Sequence, residues 1–169
     1  MHTIVVMGVS GTGKTTVGRL LADRLGVPYA EADDFHPPAN IAKMAAGMPL
    51  DDADREPWLR AIGEWAAGHR DRGGVVSCSA LKRRYRDRLR ADDPDLFFLH
   101  LSGEPALVAR RLDERKGHFM PKAMLDSQLA ALEPLGEDEA GMATDVTASP
   151  QDITERAVAA LRRRTGPGQ

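Results

Sequence analysis

The sequence predicts an α/β fold with a five-stranded parallel sheet and helices on both faces. Short β-branched apolar runs alternate along the chain with longer segments of helical periodicity, which is the pattern of such folds. A glycine-rich turn joins the first apolar run to the first helical segment. The chain has 169 residues, enough for one domain with a sizeable core. We therefore expect a single domain over residues 1–165 and a frayed tail at 166–169.

The first half of the chain is expected to form three strands and three helices. Val17, Leu20 and Leu21 recur at helical spacing, and Gly26 is a natural helix end. Pro57 is favoured in the first turn of a helix, so the third helix is expected to begin there. The expected strands are 3–7, 28–32 and 75–79, and the expected helices are 14–25, 40–47 and 57–68.

The second half continues the alternation. A strongly basic helix is expected to end at Asp92, Asp93 and Pro94. A glycine- and proline-containing stretch interrupts the helical pattern at 117–121, and the acidic segment 133–141 is expected to be irregular. The expected strands are 96–101 and 144–147, and the expected helices are 81–91, 105–115, 124–132 and 150–163.

The composition excludes several classes of protein. Lysine and arginine (23) against aspartate and glutamate (25) give a net charge of −2, unlike the basic excess of a nucleic-acid coat protein. No apolar stretch approaches the roughly 20 residues that a membrane-spanning helix needs, and the N-terminus does not resemble a secretion signal. Cys78 is the single cysteine, which excludes a disulfide framework. We expect a cytoplasmic protein with no membrane partner.

Residues 8–15, here called the phosphate loop, satisfy the motif G-x-x-x-x-G-K-[ST] between a predicted strand and a predicted helix. Glycine lets backbone N–H groups surround phosphate oxygens, and a helix N-terminus favours the same anion. Lys14 supplies a positive charge, and Thr15 supplies a hydroxyl for Mg²⁺. The motif predicts binding of a nucleoside triphosphate. The expected nucleotide-binding residues are Gly8, Val9, Ser10, Gly11, Thr12, Gly13, Lys14, Thr15 and Thr16.

The phosphate loop does not identify the phosphate acceptor, because kinases, motor NTPases and GTPases share it. The chain is short and lacks the Asn-Lys-x-Asp sequence that recognises guanine, which favours a small-molecule kinase. Glu31, Asp33 and Asp34 follow the second strand, at the sheet edge where open α/β sheets bind ligands. A carboxylate there could accept the proton of an attacking hydroxyl or hold a water of the Mg²⁺ shell. The alternative is a solvated acidic turn.

The helix expected at 81–91 is strongly basic, and charge alone would suggest a nucleic-acid surface. Tyr85 is its one aromatic residue, so it lacks the stacking platform that bases need. The helix also follows a strand that should end beside the phosphate loop. We therefore expect no nucleic-acid partner, and we expect Lys82 and Arg86 to face an anionic acceptor.

Many spaced residues resemble the gluconate kinase family, small relatives of the shikimate and adenylate kinases. They are Asp33-Asp34-Phe35-His36-Pro37, Asn40, Lys43-Met44, Gly47, Pro49-Leu50, Asp52, Asp54-Arg55, Pro57-Trp58-Leu59, Cys78-Ser79-Ala80-Leu81-Lys82, Tyr85-Arg86-Asp87, Arg111-Leu112, Arg115-Lys116-Gly117-His118-Phe119, Met124-Leu125 and Gln128. The resemblance runs colinearly from residue 3 to about 135. It implies a P-loop kinase with an acceptor-binding segment at about 33–60 and a lid at about 111–122. The implied reaction is ATP-dependent phosphorylation of D-gluconate to 6-phospho-D-gluconate, and the implied assembly is a homodimer.

The resemblance also implies roles for individual residues. Asp33 corresponds to the base for the acceptor hydroxyl, and Arg55 to an arginine on the acceptor carboxylate, a task that suits its planar guanidinium. Glu31 departs from the aspartate expected at its position, which weakens a direct metal role for it. The remaining implied roles are acceptor binding by His118 and Gln128, adenine stacking by Arg111, and catalytic phosphate contacts by Arg115 and Lys116. His36 could either hydrogen-bond a polyol acceptor or hold the loop at Pro37 and Pro38 in place.

Two other interpretations remain open at the level of sequence. The same fold could phosphorylate shikimate or another small polyol acid. A protein that binds nucleotide without turnover could also retain the phosphate loop, although Lys14, Thr15 and Asp33 argue against it.

Arg55 could have a structural role and form a surface ion pair with its neighbouring aspartates. Trp58 and Trp65 lie seven residues apart and are expected in the core or a dimer contact.

Overall fold

The computed structural model describes residues 2–114 and 122–166. Its strands are β1 (Thr3–Met7), β2 (Tyr29–Glu31), β3 (Gly74–Ser77), β4 (Phe97–Ser102) and β5 (Gly141–Asp145). Its helices are α1 (Lys14–Leu25), α2 (Pro38–Ala45), α3 (Asp52–Gly68), α4 (Arg83–Asp92), α5 (Pro105–Glu114), α6 (Lys122–Ala131) and α7 (Pro150–Arg164), with a 3₁₀ turn at Ala32–Phe35. The strands form one parallel sheet in the order β2-β3-β1-β4-β5. The predicted α/β fold with a five-stranded parallel sheet is confirmed.

The sheet order determines what surrounds the phosphate loop. β1 lies in the centre, with Val5 opposite Val76 of β3 and Phe98 of β4. Because all strands run the same way, the residues that follow β1, β3 and β4 meet at one edge of the sheet. The phosphate loop therefore lies between the segments that follow β3 and β4.

Apolar side chains cover both faces of the sheet, because alternate strand residues point to opposite sides. On one face, Ile4, Val6 and Leu99 pack against α1 and α7. On the other, Val5 and Phe98 pack against α3 and α4. A third cluster joins α5 and α6 to the phosphate loop at the sheet edge, and its buried members are Val9, Leu81, Val108, Leu112 and Leu125.

Helix α3 begins at Asp52, so the predicted start at Pro57 is wrong by five residues. The side chain of Asp51 accepts a hydrogen bond from the Asp54 N–H at 2.8 Å, and the Asp54 side chain accepts one from the Asp51 N–H at 3.0 Å. This reciprocal cap satisfies N–H groups that would otherwise lack partners. The helix therefore begins before Pro57, which lies inside it.

Strand β5 also begins earlier than predicted, at Gly141 instead of residue 144. Gly141 pairs with Phe98, and a Cβ atom at Gly141 would collide with the Phe98 carbonyl. Glycine allows this close approach, although it is uncommon in strands. By contrast, β1 and α1 have the predicted boundaries. Across residues 2–114 and 122–166, no helix is long and apolar enough to span a membrane.

Candidate active site

The glycines of the phosphate loop have backbone φ angles that are unfavourable for residues with a Cβ atom. Gly8 has a φ of +147°, and a Cβ atom there would lie 2.7 Å from the carbonyl oxygen of Leu101. Gly13 has a φ of +89° and immediately precedes α1. Glycine adopts such angles readily. The motif glycines therefore bring the loop against β4 and turn it into the N-terminus of α1.

The Lys14 ammonium group lies across this loop. Its Nζ donates to the carbonyl oxygens of Gly8 and Val9, each at 3.0 Å. The Thr12 hydroxyl donates to the same Val9 carbonyl at 2.8 Å. These bonds hold the positive charge within the loop that the sequence assigns to phosphate.

Thr15, the residue expected to bind Mg²⁺, is hydrogen-bonded to an acidic side chain. Its hydroxyl donates to Glu31 Oε1 at 2.7 Å, and the Tyr29 hydroxyl donates to the same oxygen. Burial, followed by the hydrogen bond to Glu31, raises the pKa of Tyr29 to about 12. Mg²⁺ favours oxygen ligands and binds few protein groups beside waters and phosphate oxygens. A hydroxyl beside a carboxylate fits that preference, so these residues suit a metal held jointly with nucleotide.

An open cleft adjoins the phosphate loop and is here called the acceptor cleft. It consists of two neighbouring cavities of about 560 and 240 Å³. Asp33 and His36 line the larger cavity, while Lys82 and Tyr85 line the smaller one. Both cavities share the side chains of Arg55, Trp58, Ser79, Ser127 and Gln128. Four segments that are distant in sequence therefore form a single cleft.

Arg55 lies where the two cavities meet. Its Nη1 atom is 4.0 Å from Asp52 Oδ1, and its guanidinium lies 5.6 Å from the centre of the Tyr85 ring. The Lys82 ammonium lies 5.8 Å from the same ring centre. Asp52 also accepts a hydrogen bond from Tyr85 and pairs with Arg84. Two cations that line the cleft thus lie near one aromatic ring, and together they could attract an anionic ligand.

His36 is held by its neighbours within the cleft. Its ring stacks on Trp58 with centroids 4.6 Å apart, and Trp58 donates its indole N–H to the Ala32 carbonyl at 2.7 Å. Asn40 Nδ2 lies 3.3 Å from His36 Nδ1. Burial lowers the pKa of His36, and the charge of Arg55 lowers it further against the opposing charge of Asp33. Burial therefore favours the neutral form of His36.

Gln128 contacts both the acceptor cleft and the phosphate loop. Its Oε1 atom accepts from the Ser10 N–H at 2.8 Å, and its Nε2 atom donates to the Ser10 hydroxyl at 3.1 Å. Gln128 belongs to α6, directly after the residues expected to form the lid. The side chain therefore connects that helix to the phosphate loop.

Arg86, predicted to bind the acceptor, is not in the cleft, and this prediction is corrected. The side chain is fully buried and its Nε atom donates to Glu139 Oε1 at 2.8 Å. Sequence patterns could not reveal a partner 53 residues away. The other arginines of α4 also have carboxylate partners, which are Asp138 for Arg83, Asp52 for Arg84, Glu56 and Asp92 for Arg88, and Asp87 and Glu139 for Arg90.

The other predicted residues have different outcomes. Thr16 is exposed in the first turn of α1. Arg111 donates to the Val146 carbonyl at 2.7 Å, beside the segment that follows β5, and its adenine contact stays a prediction. The remaining three, Arg115, Lys116 and His118, lie outside the described residues.

Sequence reasoning missed several residues that line the cleft. Trp58 is buried in the core, as expected, and it also lines both cavities, a role that its spacing does not indicate. Ser79 follows β3 at the edge beside the phosphate loop, and this position was a usable signal. The remaining unassigned lining residues include Met44, Met48, Met124 and Ser127.

A phosphate loop after the central strand, with an acidic turn and a cationic cleft beside it, defines a P-loop kinase of small molecules. The family model described as shikimate kinase matches residues 10–162. Shikimate kinase from Aquifex aeolicus shares the fold, with a TM-score of 0.61 at 13% identity over 98% of this chain and 99% of that one.

Closer relatives specify the family. Gluconokinase from Gluconobacter oxydans is 54% identical over 141 residues, which cover 80% of this chain and 78% of the relative. Thermosensitive gluconokinase from Escherichia coli is 39% identical over 168 residues, which cover 96% and 90%. The crystal structure of a gluconokinase from Sinorhizobium meliloti gives a TM-score of 0.87 at 48% identity, covering 96% of this chain and 93% of that one. The chain belongs to the gluconokinase family, as its sequence motifs predict.

Proposed function

We propose that this protein transfers the γ-phosphoryl group of ATP to the 6-hydroxyl of D-gluconate, for use in carbohydrate catabolism. A new bond joins the hydroxyl oxygen to the γ-phosphorus, and the bond from that phosphorus to the bridging oxygen of ADP breaks. The observation that carries the proposal is the acceptor cleft beside the phosphate loop, with a carboxylate and two cations along it. Family membership supports the choice of acceptor.

The cationic part of the cleft is assigned to the acceptor carboxylate. Arg55 offers a planar fork that matches a carboxylate, and Lys82 adds a second positive charge in the same cavity. The cleft continues from Arg55 to Asp33. This arrangement suits a chain molecule with an acid at one end and a hydroxyl at the other. His36 and Gln128 line the same space and are assigned to the hydroxyl groups between these ends.

Asp33 is assigned to orient the 6-hydroxyl and accept its proton. It is exposed on the 3₁₀ turn after β2 and lines the cleft. Phosphoryl transfer relies chiefly on positioning and charge neutralisation. A carboxylate at hydrogen-bond distance from the hydroxyl would supply both the direction of attack and a destination for the proton.

The phosphate loop is assigned to hold the triphosphate of ATP. Its backbone N–H groups and the N-terminus of α1 attract phosphate oxygens. Lys14 would exchange the carbonyls of Gly8 and Val9 for phosphate oxygens. Thr15 would hold Mg²⁺ through its hydroxyl oxygen, while the same hydroxyl donates its hydrogen bond to Glu31. When bound, Mg²⁺ neutralises charge on the phosphates.

The lid residues complete this assignment as predictions. Arg111 is assigned to adenine, Arg115 and Lys116 to the phosphates, and His118 to the acceptor. Cations that arrive only on closure would limit transfer to water.

We also propose that the protein is a cytoplasmic homodimer. Light scattering after size-exclusion chromatography should give twice the monomer mass of 18.4 kDa.

The test of the proposed function is an assay of ADP release with MgATP and separate acceptors. D-gluconate, shikimate, glycerate, glucose and adenosine monophosphate form the panel. Strong turnover with D-gluconate alone is expected. Turnover with another acceptor instead would overturn the proposed acceptor. If no acceptor in the panel stimulates ADP release, the result would favour a nucleotide-responsive binding protein.

A further inference from the structure

Arg86 has an unusually complete set of partners for a buried arginine. Its guanidinium makes five hydrogen bonds, two of them to the carboxylate of Glu139. The side chains of both residues are completely buried. Desolvation of such charges is costly unless every hydrogen-bonding group is satisfied. The remaining three bonds of Arg86 show which part of the chain this pair holds.

Those three bonds end on main-chain carbonyls. Arg86 Nη1 donates to Ala80 at 2.9 Å and to Leu81 at 3.3 Å, and Nη2 donates to Pro134 at 3.4 Å. The Leu81 carbonyl also accepts from the Glu133 N–H at 2.7 Å. The pair therefore joins the turn at residues 79–82, here called the cleft turn, to the segment before β5.

The cleft turn needs such support because its backbone is strained. Ala80 has a φ of +43°, the one positive value for a non-glycine residue within residues 2–114 and 122–166. This region is unfavourable for a side chain with a Cβ atom, and it persists only where surrounding contacts impose it. The Arg86 bond to the Ala80 carbonyl is such a contact.

The cleft turn connects the two halves of the site. The Ser79 carbonyl accepts from the Gly8 N–H of the phosphate loop at 3.2 Å. Ser79, Leu81 and Lys82 line the smaller cavity of the acceptor cleft. A shift of this turn would therefore displace the Lys82 ammonium relative to the phosphate loop.

We propose that Arg86 and Glu139 are positioning residues for acceptor use, which hold the cleft turn so that Lys82 and Ser79 meet the acceptor. This inference rests on the proposed function of the cleft. Glu139 is fixed in turn by the Gly136 N–H at 2.8 Å and by Arg90 at 2.7 Å. The pair acts through the cleft turn and does not touch the reacting groups.

The decisive variant replaces both partners, Arg86→Met with Glu139→Met. Apolar replacement of an entire buried ion pair is often neutral for stability, whereas removing one partner leaves an uncompensated charge. Arg90 keeps Asp87 as a partner at 2.6 Å. The matched control is Arg83→Gln with Asp138→Asn, because this pair joins the same helix to the same segment but is exposed.

The double variant should be folded, as measured by thermal unfolding. In the ADP-release assay, its KM for gluconate should be raised about tenfold, and its KM for ATP should change less. The control should match the unmodified protein. A folded double variant with an unchanged KM for gluconate and an unchanged kcat would overturn the inference. If the double variant does not fold, the test uses Arg86→Lys, which keeps the positive charge but loses the planar guanidinium. An unchanged KM for gluconate in Arg86→Lys would then overturn the inference.

A double-mutant cycle separates positioning from general loosening. Lys82→Met should raise the KM for gluconate in the unmodified protein and have a smaller effect in the Arg86→Met, Glu139→Met background, since coupled residues are non-additive. Fully additive effects would contradict a role through the cleft turn. Absence of gluconate turnover in the unmodified protein would overturn the proposed function instead, and the cycle would then be measured with the acceptor that the panel identifies.

Discussion

The phosphate loop and the acceptor cleft are neighbours that are built in opposite ways. The loop is one contiguous stretch at residues 8–15, and its shape depends on backbone conformations of Gly8, Gly11 and Gly13 with positive φ. The cleft combines side chains from four distant segments, represented by Asp33, Arg55, Lys82 and Gln128. The loop should therefore serve any acceptor, whereas the cleft should select one. Substitutions in the two regions should separate nucleotide use from acceptor use.

The largest effect should come from Lys14→Ala. Removing this charge should lower kcat by about a thousandfold with every acceptor, at the upper end of the factors of roughly 10²–10³ that one preorganised donor to the transferring group contributes. The steady-state ADP assay measures this, and thermal unfolding verifies the fold. A loss confined to one acceptor would contradict this role, because it would place Lys14 in acceptor selection.

Asp33→Asn should produce the next largest loss, a decrease in kcat of roughly 10²–10³ from the missing proton acceptor. ATP binding, measured by calorimetry, should change little. Asp34→Asn is the matched control, because Asp34 is an exposed neighbour on the same 3₁₀ turn. Equal losses in the two variants would show that the turn contributes general charge and that Asp33 has no special place in the cleft.

Local sequence signals predict the boundaries of several strands and helices of the fold. Thr3–Met7 and Lys14–Leu25 have the predicted bounds because local periodicity and the glycine at residue 26 determine them. The proline at residue 57 predicts a helix start there, whereas the cap formed by Asp51 and Asp54 begins α3 five residues earlier. Local signals define elements well when they do not compete with one another.

The cleft was harder to predict because its geometry depends on tertiary partners. Lys82 and Arg86 are four residues apart on a basic segment, and charge alone treats them alike. Glu139 draws Arg86 into the core, while Lys82 lines the cleft. Likewise, Trp58 is a core residue, as its spacing predicts, but its spacing does not show that it also lines the cleft and stacks on His36. Such outcomes require the positions of residues far away in sequence.

Arg55→Lys should weaken the use of gluconate without affecting the use of ATP. Lysine retains the charge but cannot form the bidentate pair with a carboxylate, so we expect the KM for gluconate to rise by about ten- to thirtyfold. The KM for ATP should remain unchanged. Arg84→Lys is the control, because Arg84 also lies beside Tyr85 and Asp52 but is more exposed. An unchanged KM for gluconate in Arg55→Lys would remove the carboxylate assignment.

The smallest effect should appear in the stability of the protein at acidic pH. Burial raises the pKa of Glu139, but hydrogen bonds from Arg86, Gly136 and Arg90 outweigh this and lower it from 4.5 to about 2. A carboxylate with a depressed pKa adds stability above its unfolded pKa and loses it as pH falls toward the folded value. The urea midpoint should therefore decrease between pH 4.5 and pH 2 more steeply than in the Arg86→Met, Glu139→Met variant.

The exposed pair of Arg83 and Asp138 provides the comparison for this experiment. Its hydrogen bond also lowers the pKa of Asp138 to about 2, but salt screens exposed charges much more than buried ones. In high salt, the Arg83→Gln, Asp138→Asn variant should follow the unmodified protein through acidification, while the Arg86→Met, Glu139→Met variant should not. Identical acid profiles for all three proteins would mean that the buried pair of Arg86 and Glu139 does not stabilise the protein.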